Sequence, residues 1–544
     1  MTNQVQFLGA NGLPMPPRQP SRASMLAGRQ NIPYDAADVT GGHLEDWNPY
    51  VWSPDAEINM FRDRMVSRIR DLVRNDGWAS ASVTRTLDNV VGPNFSPSPQ
   101  PDYAVLRAIS GNSKFDHKWA EEWGEAAAAH YRAWANDPGK YCDATRFQTA
   151  PQMYRLGFRH YLVDGDALAR SHWIEDRIGL GRARYATAIE VADPDRLSNP
   201  QLQFDQQIMR GGVEVDARQT AVAYWMREAH QADYFSGSKS VTWERIPRET
   251  RFGRPILIHY FDRDRANQHR GVGFLTPIVN RLKMLIKYDS TELDAAIINA
   301  FFAAYIESPF DRDLVEGSLG LDNNVGAYQA ERAAYHKERK TKLGDVGMTM
   351  LYPGEKLGSV SANRPSGNYD GFQSAMLRNV AAATGLATQQ ISQNWAEVNY
   401  SAFRAAMLEA WKTLHRRRYD FVIGFAQPIY SNFLEESVEV DDYPMPSSGE
   451  IPSYIEARGA YSRARWMGPG KGYVDPVKEK QGAILGLDAG LSSLEDECAE
   501  QGIDWREVAD RRANEADYYR RRGLPPLSWS TNPASEADKP QEAQ

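Results

Sequence analysis

The chain has 544 residues, 42% of them hydrophobic and 25% charged, with 14 Trp and 26 Tyr. That is ordinary soluble usage, and at ~150 residues per domain it divides into roughly three or four structural regions. The 63 basic and 71 acidic residues leave a net charge of -8, which excludes a protein gripping nucleic-acid phosphates over its whole surface; any DNA contact must be local or weak. Two cysteines, Cys142 and Cys498, exclude a disulfide framework and a Cys-rich metal site, and fit synthesis in a reducing cytoplasm.

In chain order, residues 1–50 are rich in Pro and Gly, with Arg18, Arg22 and Arg29 ahead of the first acid, Asp35, and are expected to form a mobile N-terminal arm. No apolar h-region follows Met1, so no secretory signal is expected. Ile58, Phe61, Met65, Ile69, Leu72 and Val73 recur at helical spacing over 55–74, and a second amphipathic helix runs to Val91, before Gly92 and Pro93. A third carries Trp119, Trp123, Tyr131 and Trp134 and stops at Asn136-Asp137-Pro138-Gly139. From about 150 to 262 short β-like runs take over: AIEVA (188–192), GVEVDA (212–217), AVAYWM (221–226) and PILIHY (255–260). The fold class expected is therefore α+β.

Past Gly271 a helix face runs from Leu275 through Ile286 into the apolar stretch 295–306, which is bracketed by Asp294 and Glu307 and falls short of the ~20 residues that span a bilayer. Residues 307–370 are mixed, with the cluster His336 to Lys340 and the strand-like MTMLY (348–352). Phe372, Met376, Leu377 and Val380 mark a helix that Gly385 ends. Tyr400, Phe403, Met407, Trp411 and Leu414 stripe a long amphipathic helix. Two capping boxes, Ser492 with Glu495 and Asp504 with Glu507, announce closing helices, and 523–544 reads as a disordered tail.

Chemistry is sought and mostly absent. No phosphate-binding G-x-x-x-x-G-K-[ST] occurs, and GPGKG (468–472) lacks its spacing; no two His stand at i, i+4, and no G-x-S-x-G elbow exists. His160 and His259 read as hydrogen-bonded core residues. Asp164 with Asp166 in VDGDAL, and Asp262 with Asp264 in FDRDR, are the close carboxylate pairs a two-metal nuclease would need; a turn and local salt bridges are their plainer readings. Arg416-Arg417-Arg418 and Arg520-Arg521-Arg522 read as solvated helix faces before they read as phosphate contacts. No catalytic residue, metal site or cofactor is assigned.

An ordered series of blocks then carries a resemblance: RDLVRND (70–76), DNVVG (88–92), LVDGDALAR (162–170), EVADPDRLSNP (190–200), GVEVDA, and Arg265, His269, Arg270 and Gly271 in RANQHRG. It continues through RPSGNYDGFQSAMLRNVAAATGL (364–386), NYSAFRAAMLEAW (399–411), GPGKGYVDPVKEKQGA (468–483) and GLSSLEDECAEQGIDW (490–505). In this order the blocks closely resemble the lambda-type portal proteins of tailed bacteriophages.

The resemblance implies a multi-region portal fold in a dodecameric ring at one capsid vertex of the virion. Such a ring is a conduit for double-stranded DNA read without sequence specificity, made in the bacterial host cytoplasm, not membrane-bound and not an enzyme. Implied partners are further copies of the chain, terminase, major capsid and scaffold proteins, and head-tail connector proteins. Mapped onto this sequence, the regions are the arm at 1–50, wing at 51–270, stem and clip at 271–365, tunnel-loop and wing helices at 366–439, crown-like helices at 440–522, and tail at 523–544. The tunnel loop is placed at 393–401, where Gln393, Asn394, Trp395, Glu397 and Asn399 offer polar and aromatic groups without a cation; an ordinary interhelical loop is the other reading. The rival functions are a DNA-packaging nuclease or terminase subunit, or another head-tail adaptor.

Overall fold

The computed structural model describes residues 46–302, 334, 340–343, 346–349, 369–395, 399–470, 472 and 475–527. The arm up to residue 45, Glu397, most of the stem and clip, and the tail beyond 527 lie outside the described residues. Residues up to Glu57 form one unit, in which Tyr50 and Trp52 stack at 6.2 Å, and the chain from Ile58 onward forms another.

The second unit begins with a helical hairpin. The stretch expected as one helix from Asp55 is interrupted: a short helix spans Pro54–Ile58, and α1 (Arg62–Asn75) then turns Val66, Ile69, Leu72 and Val73 inward. Asp76 then caps α2 (Gly77–Val90) by accepting the Ala79 N–H at 2.7 Å. β1 (Ser96–Pro99) and α3 (Tyr103–Ser110) lead to α4 (His117–Ala135), which buries Trp119, Trp123, Tyr131 and Trp134 as its aromatic stripe requires. Each such ring, removed from water, contributes on the order of 1.5–3 kcal/mol.

One expected boundary is corrected here. The β-like stretch does not begin near 150, because α5 (Ala150–Asp164) occupies its first residues. Gln152 Oε1 accepts the Thr149 N–H at 2.9 Å at its start, and Met153, Tyr154, Gly157, Phe158, Tyr161 and Leu162 bury one face at helical spacing.

The sheets follow where alternation places them. β2 (Ala167–Trp173), β3 (Thr187–Ala192) and β8 (Leu257–Tyr260) form an antiparallel sheet in the order β3-β2-β8. β4 (Met209–Arg210), β5 (Val213–Val215), β6 (Ala221–Arg227) and β7 (Trp243–Pro247) form a second, in sequence order. Leu168, Leu197, Val213, Val215, Tyr224 and Met226 pack as a small core between them.

α6 (Val279–Phe302) follows, then the hairpin of β9 (Lys340–Leu343) and β10 (Val346–Thr349). α7 (Tyr369–Thr384) ends at Gly385 with φ +72°, as expected. α8 (Thr388–Ser392) precedes α9 (Tyr400–Phe421), which passes through a π-helical turn, Val422–Ala426, into α10 (Gln427–Val440). β11 (Ala464–Met467) returns to pair antiparallel with β1. The chain closes with α11 (Pro476–Asp488), α12 (Leu494–Glu500) and α13 (Trp505–Arg522). The cap of α12 is Ser493, one residue after the expected Ser492, because Ser493 Oγ accepts the Asp496 N–H; Asp504 caps α13 as expected.

The main core is one cluster with members from Ile69 to Tyr461, and it joins α1, α2, α4, α5, α7, α9 and α10. Among the described residues, no helix is long and apolar enough to cross a membrane.

Two glycines let the chain cross itself at the end of α5. Gly165 sits at φ +86°, and a Cβ there would meet the Gly271 carbonyl carbon and Val272 N at 2.5 Å; one on Gly271 would meet Gly165 O at 1.9 Å. By contrast, Gly371 on α7 has nothing within 4 Å. We predict that Gly271→Ala destabilises the protein by at least about 1–3 kcal/mol through overpacking, while Gly371→Ala is neutral or stabilising by up to ~1 kcal/mol. Thermal denaturation of both variants checks this, and equal effects would contradict it.

Candidate functional site

The loop after α8 is shaped by the helix ends on either side. Gln393 adopts the left-handed conformation (φ 55°) that stops α8, and its Nε2 donates to Gln390 O at 2.7 Å. Asn399 caps α9, its Oδ1 accepting the Ser401 N–H at 3.2 Å. Between them Asn394 is exposed and Trp395 is 49% exposed, with its ring edge-on to Phe403 at 5.1 Å. Gln393 and Asn399 thus have local hydrogen-bonding duties, and Asn394 and Trp395 present their side chains outward.

The resemblance-bearing motifs converge elsewhere. Where Gly165 and Gly271 cross, Asp166 has no exposed surface and is surrounded by donors. Arg270 Nε lies at 2.9 Å, Arg62 Nη2 at 3.0 Å, His259 Nε2 at 3.0 Å and the Gly271 N–H at 2.7 Å. Arg270, itself 2% exposed, spends its remaining donors on the carbonyls of Leu197 (2.7 Å), Gly211 (2.6 Å) and Pro194 (3.1 Å). One guanidinium therefore ties VDGDAL to the ADPDRLSNP segment and to Gly211, just ahead of GVEVDA.

Burial alone would push the Asp166 carboxyl up, but the charges of Arg270 and Arg62 and the His259 hydrogen bond hold it well below the usual carboxylate range. His259 is pulled down, chiefly by burial, against the attraction of Asp166. It is the hydrogen-bonded core histidine its apolar strand suggests.

The neighbouring carboxylate belongs to the same framework. Arg70 of α1 reaches Asp164 Oδ1 with Nε at 2.7 Å, Asp195 with Nη1 at 2.5 Å and Asp193 with Nη2 at 3.0 Å, and His160 Nδ1 meets Asp164 Oδ2 at 2.6 Å. His160, Asp164 and Asp193 could by geometry hold a metal ion, but Arg70 already supplies the cation at two of the three. The two-metal reading of Asp164 and Asp166 thus loses its ligands to arginines. Asp262 faces Arg416 at 3.9 Å in an exposed pair.

Sequence reasoning missed Arg62, Arg70 and Arg270 as functional supports, although Arg70 and Arg270 lie in the motif blocks and Arg62 lies on the same helix as Arg70. It also took Arg416 to Arg418 for a solvated face. In the structure Arg418 is buried, donating to Val90 O (2.9 Å), Asn89 O (2.7 Å) and Pro469 O (2.9 Å), and Arg417 donates to Thr384 O (2.7 Å). Arg418 thereby binds DNVVG to the GPGKG turn, and only Arg416 keeps to the surface.

The profile of the family described as phage portal protein, lambda family, matches residues 40–418. The portal protein of Escherichia phage N15 is 31% identical over 497 residues, covering 90% of this chain and 91% of its own. The chain belongs to the lambda family of phage portal proteins.

Portal protein B of Escherichia phage lambda is 30% identical over 496 residues, covering 90% of each. A chain in the virion of a native gene transfer agent particle aligns at 13% identity and TM-score 0.38, over 85% of this chain and 94% of that one; at that score the likeness carries no argument. The family is a structural phage family and not an enzymatic one, and in this member the blocks that carry the resemblance build the crossing of β2, α1 and the 190–200 segment. The portal chain's motif carboxylates serve as anchors.

We predict that Asp166→Asn costs about 3–5 kcal/mol, because it leaves buried Arg270 without its carboxylate and Arg62 with only the longer contacts to Asp195 (3.8 Å) and Asp63 (3.9 Å). The sign with pH follows from a depressed pKa. The contribution of Asp166 is complete above the unfolded carboxyl value of about 3.9 and is lost progressively below it. Wild type should therefore lose its advantage over Asp166→Asn as denaturation is followed below about pH 4, and a difference that does not shrink there would contradict the assignment.

Proposed function

We propose that this portal protein assembles as a dodecameric ring at a unique capsid vertex of the virion. It would act there as the conduit for double-stranded DNA during packaging and ejection, and as the platform for terminase and head-tail connector proteins. Membership of the portal family over nine-tenths of the chain carries the reading. The net charge of -8 supports it, since a conduit must let phosphates pass. So does the hold of arginines on Asp164 and Asp166, which takes that carboxylate pair away from the rival nuclease reading.

Within this reading the wing comprises 51–270, the stem and clip 271–365, the tunnel-loop and wing helices 366–439, and the crown 440–522. Gln393, Asn394, Trp395, Glu397 and Asn399 are the DNA-facing group. Asn394 and Trp395 favour this assignment because they are exposed and neutral.

Negative-stain electron microscopy of the purified chain should show annular particles with a central hole; only small, non-annular particles under all conditions would contradict the reading. Asn394→Ala and Trp395→Ala should leave those rings intact while impairing DNA packaging or retention. Loss of the rings instead would make these residues assembly contacts.

A further inference from the structure

The three C-terminal helices stand apart in how little they bury. α4 alone buries seven residues, yet no residue of α11, α12 or α13 is buried. Helices of this length are marginal in water without a covered face. On α11 several of the uncovered side chains are apolar. Val477 (64% exposed), Ile484 (56%) and Leu485 (68%) stand at i, i+7 and i+8 on one face of α11, and Leu491 (86%) follows its end.

The same helix has a second, concave side. Lys478, Gly482 and Ala483 help wall a groove of about 730 Å³ whose apolar lining is Phe403, Met407, Leu408 and Trp411 of α9 with Ile503 and Val508. Val477, Ile484 and Leu485 are not part of that wall. One unit therefore carries a convex apolar stripe and a concave apolar groove in different places. Charge is divided as well, acidic in the first turn of α12 (Glu495, Asp496, Glu497) and basic in the last turn of α13 (Arg520, Arg521, Arg522), with Glu495 and Asp496 also held by Arg465 and Arg520 by Asp517. A stripe on one side of a subunit and a groove on another match between copies head to tail, a heterologous contact that closes into a ring when the rotation allows.

We propose that Val477, Ile484, Leu485 and Leu491 of one copy pack into the groove between α9 and the C-terminal helices of the next copy. The inference deepens the ring reading and rests on it. It assigns the order of the C-terminal helices to assembly, with burial completed only by the neighbour.

Cys498 lies in the groove wall, and the other cysteine, Cys142, has no exposed surface, so the contact has a built-in reporter. Full-length Leu485→Cys treated with a short bis-maleimide should give a ladder of covalent multimers extending beyond the dimer on a denaturing gel. Leu485→Cys combined with Cys498→Ser should give none, at the same particle mass by mass photometry. Rings in mass photometry with no crosslinked product, or with product that stops at the dimer, overturn this inference and leave the ring reading standing. Absence of any oligomer in mass photometry overturns the ring reading and this inference with it.

Discussion

A carboxylate removed from water keeps its charge only if cations and N–H groups replace the solvent, and for Asp166 that replacement is complete. Arg62 comes from α1, Arg270 and Gly271 from the turn before α6, and His259 from β8. Arg270 alone then reaches three backbone carbonyls in two further segments. Loss of one partner leaves an uncompensated buried charge, so the segments are constrained to stay together. The arrangement depends on the backbone crossing of Gly165 and Gly271, which no side-chain carbon fits.

This framework changes what the motif blocks mean. Carboxylate pairs such as Asp164 and Asp166 invite a metal-dependent reading, yet an arginine is a fixed cation that needs no coordination sphere and forks naturally onto carboxylates and carbonyls. Arg70 shows the substitution most plainly, holding Asp164, Asp193 and Asp195 at once. Arg418 does the same for DNVVG and GPGKG, with carbonyls in place of carboxylates. The blocks that carry the resemblance therefore report geometry, because their carboxylates are spent on holding segments together.

Much of the fold was legible because its elements announce themselves locally. The stripe of Trp119, Trp123 and Trp134, the alternation of AIEVA and AVAYWM, and Gly385 at a helix end all survive in the structure, since burial and backbone sterics act within a few residues. α5 was readable too, from Thr149 and Gln152 and the spacing of Tyr154, Phe158 and Tyr161, but the strands around it drew the eye. The pairing of β1 with β11 was not legible: it joins Ser96 to Met467, and nothing local encodes such a partner. Arg418 was misread for the same reason, because its carbonyl partners at Asn89, Val90 and Pro469 are remote in sequence. For the loop at 393–401, the helix-ending role of Gln393 and the capping role of Asn399 were hidden behind their polarity.

The most direct test is a double-mutant cycle on Asp166→Asn and Arg270→Met, read by equilibrium denaturation of the full chain. If the motif residues form one charge-compensated scaffold, each single variant is strongly destabilising and the double variant recovers part of the loss, with a coupling of about 0.5–3 kcal/mol. Strict additivity of the two losses would contradict the account.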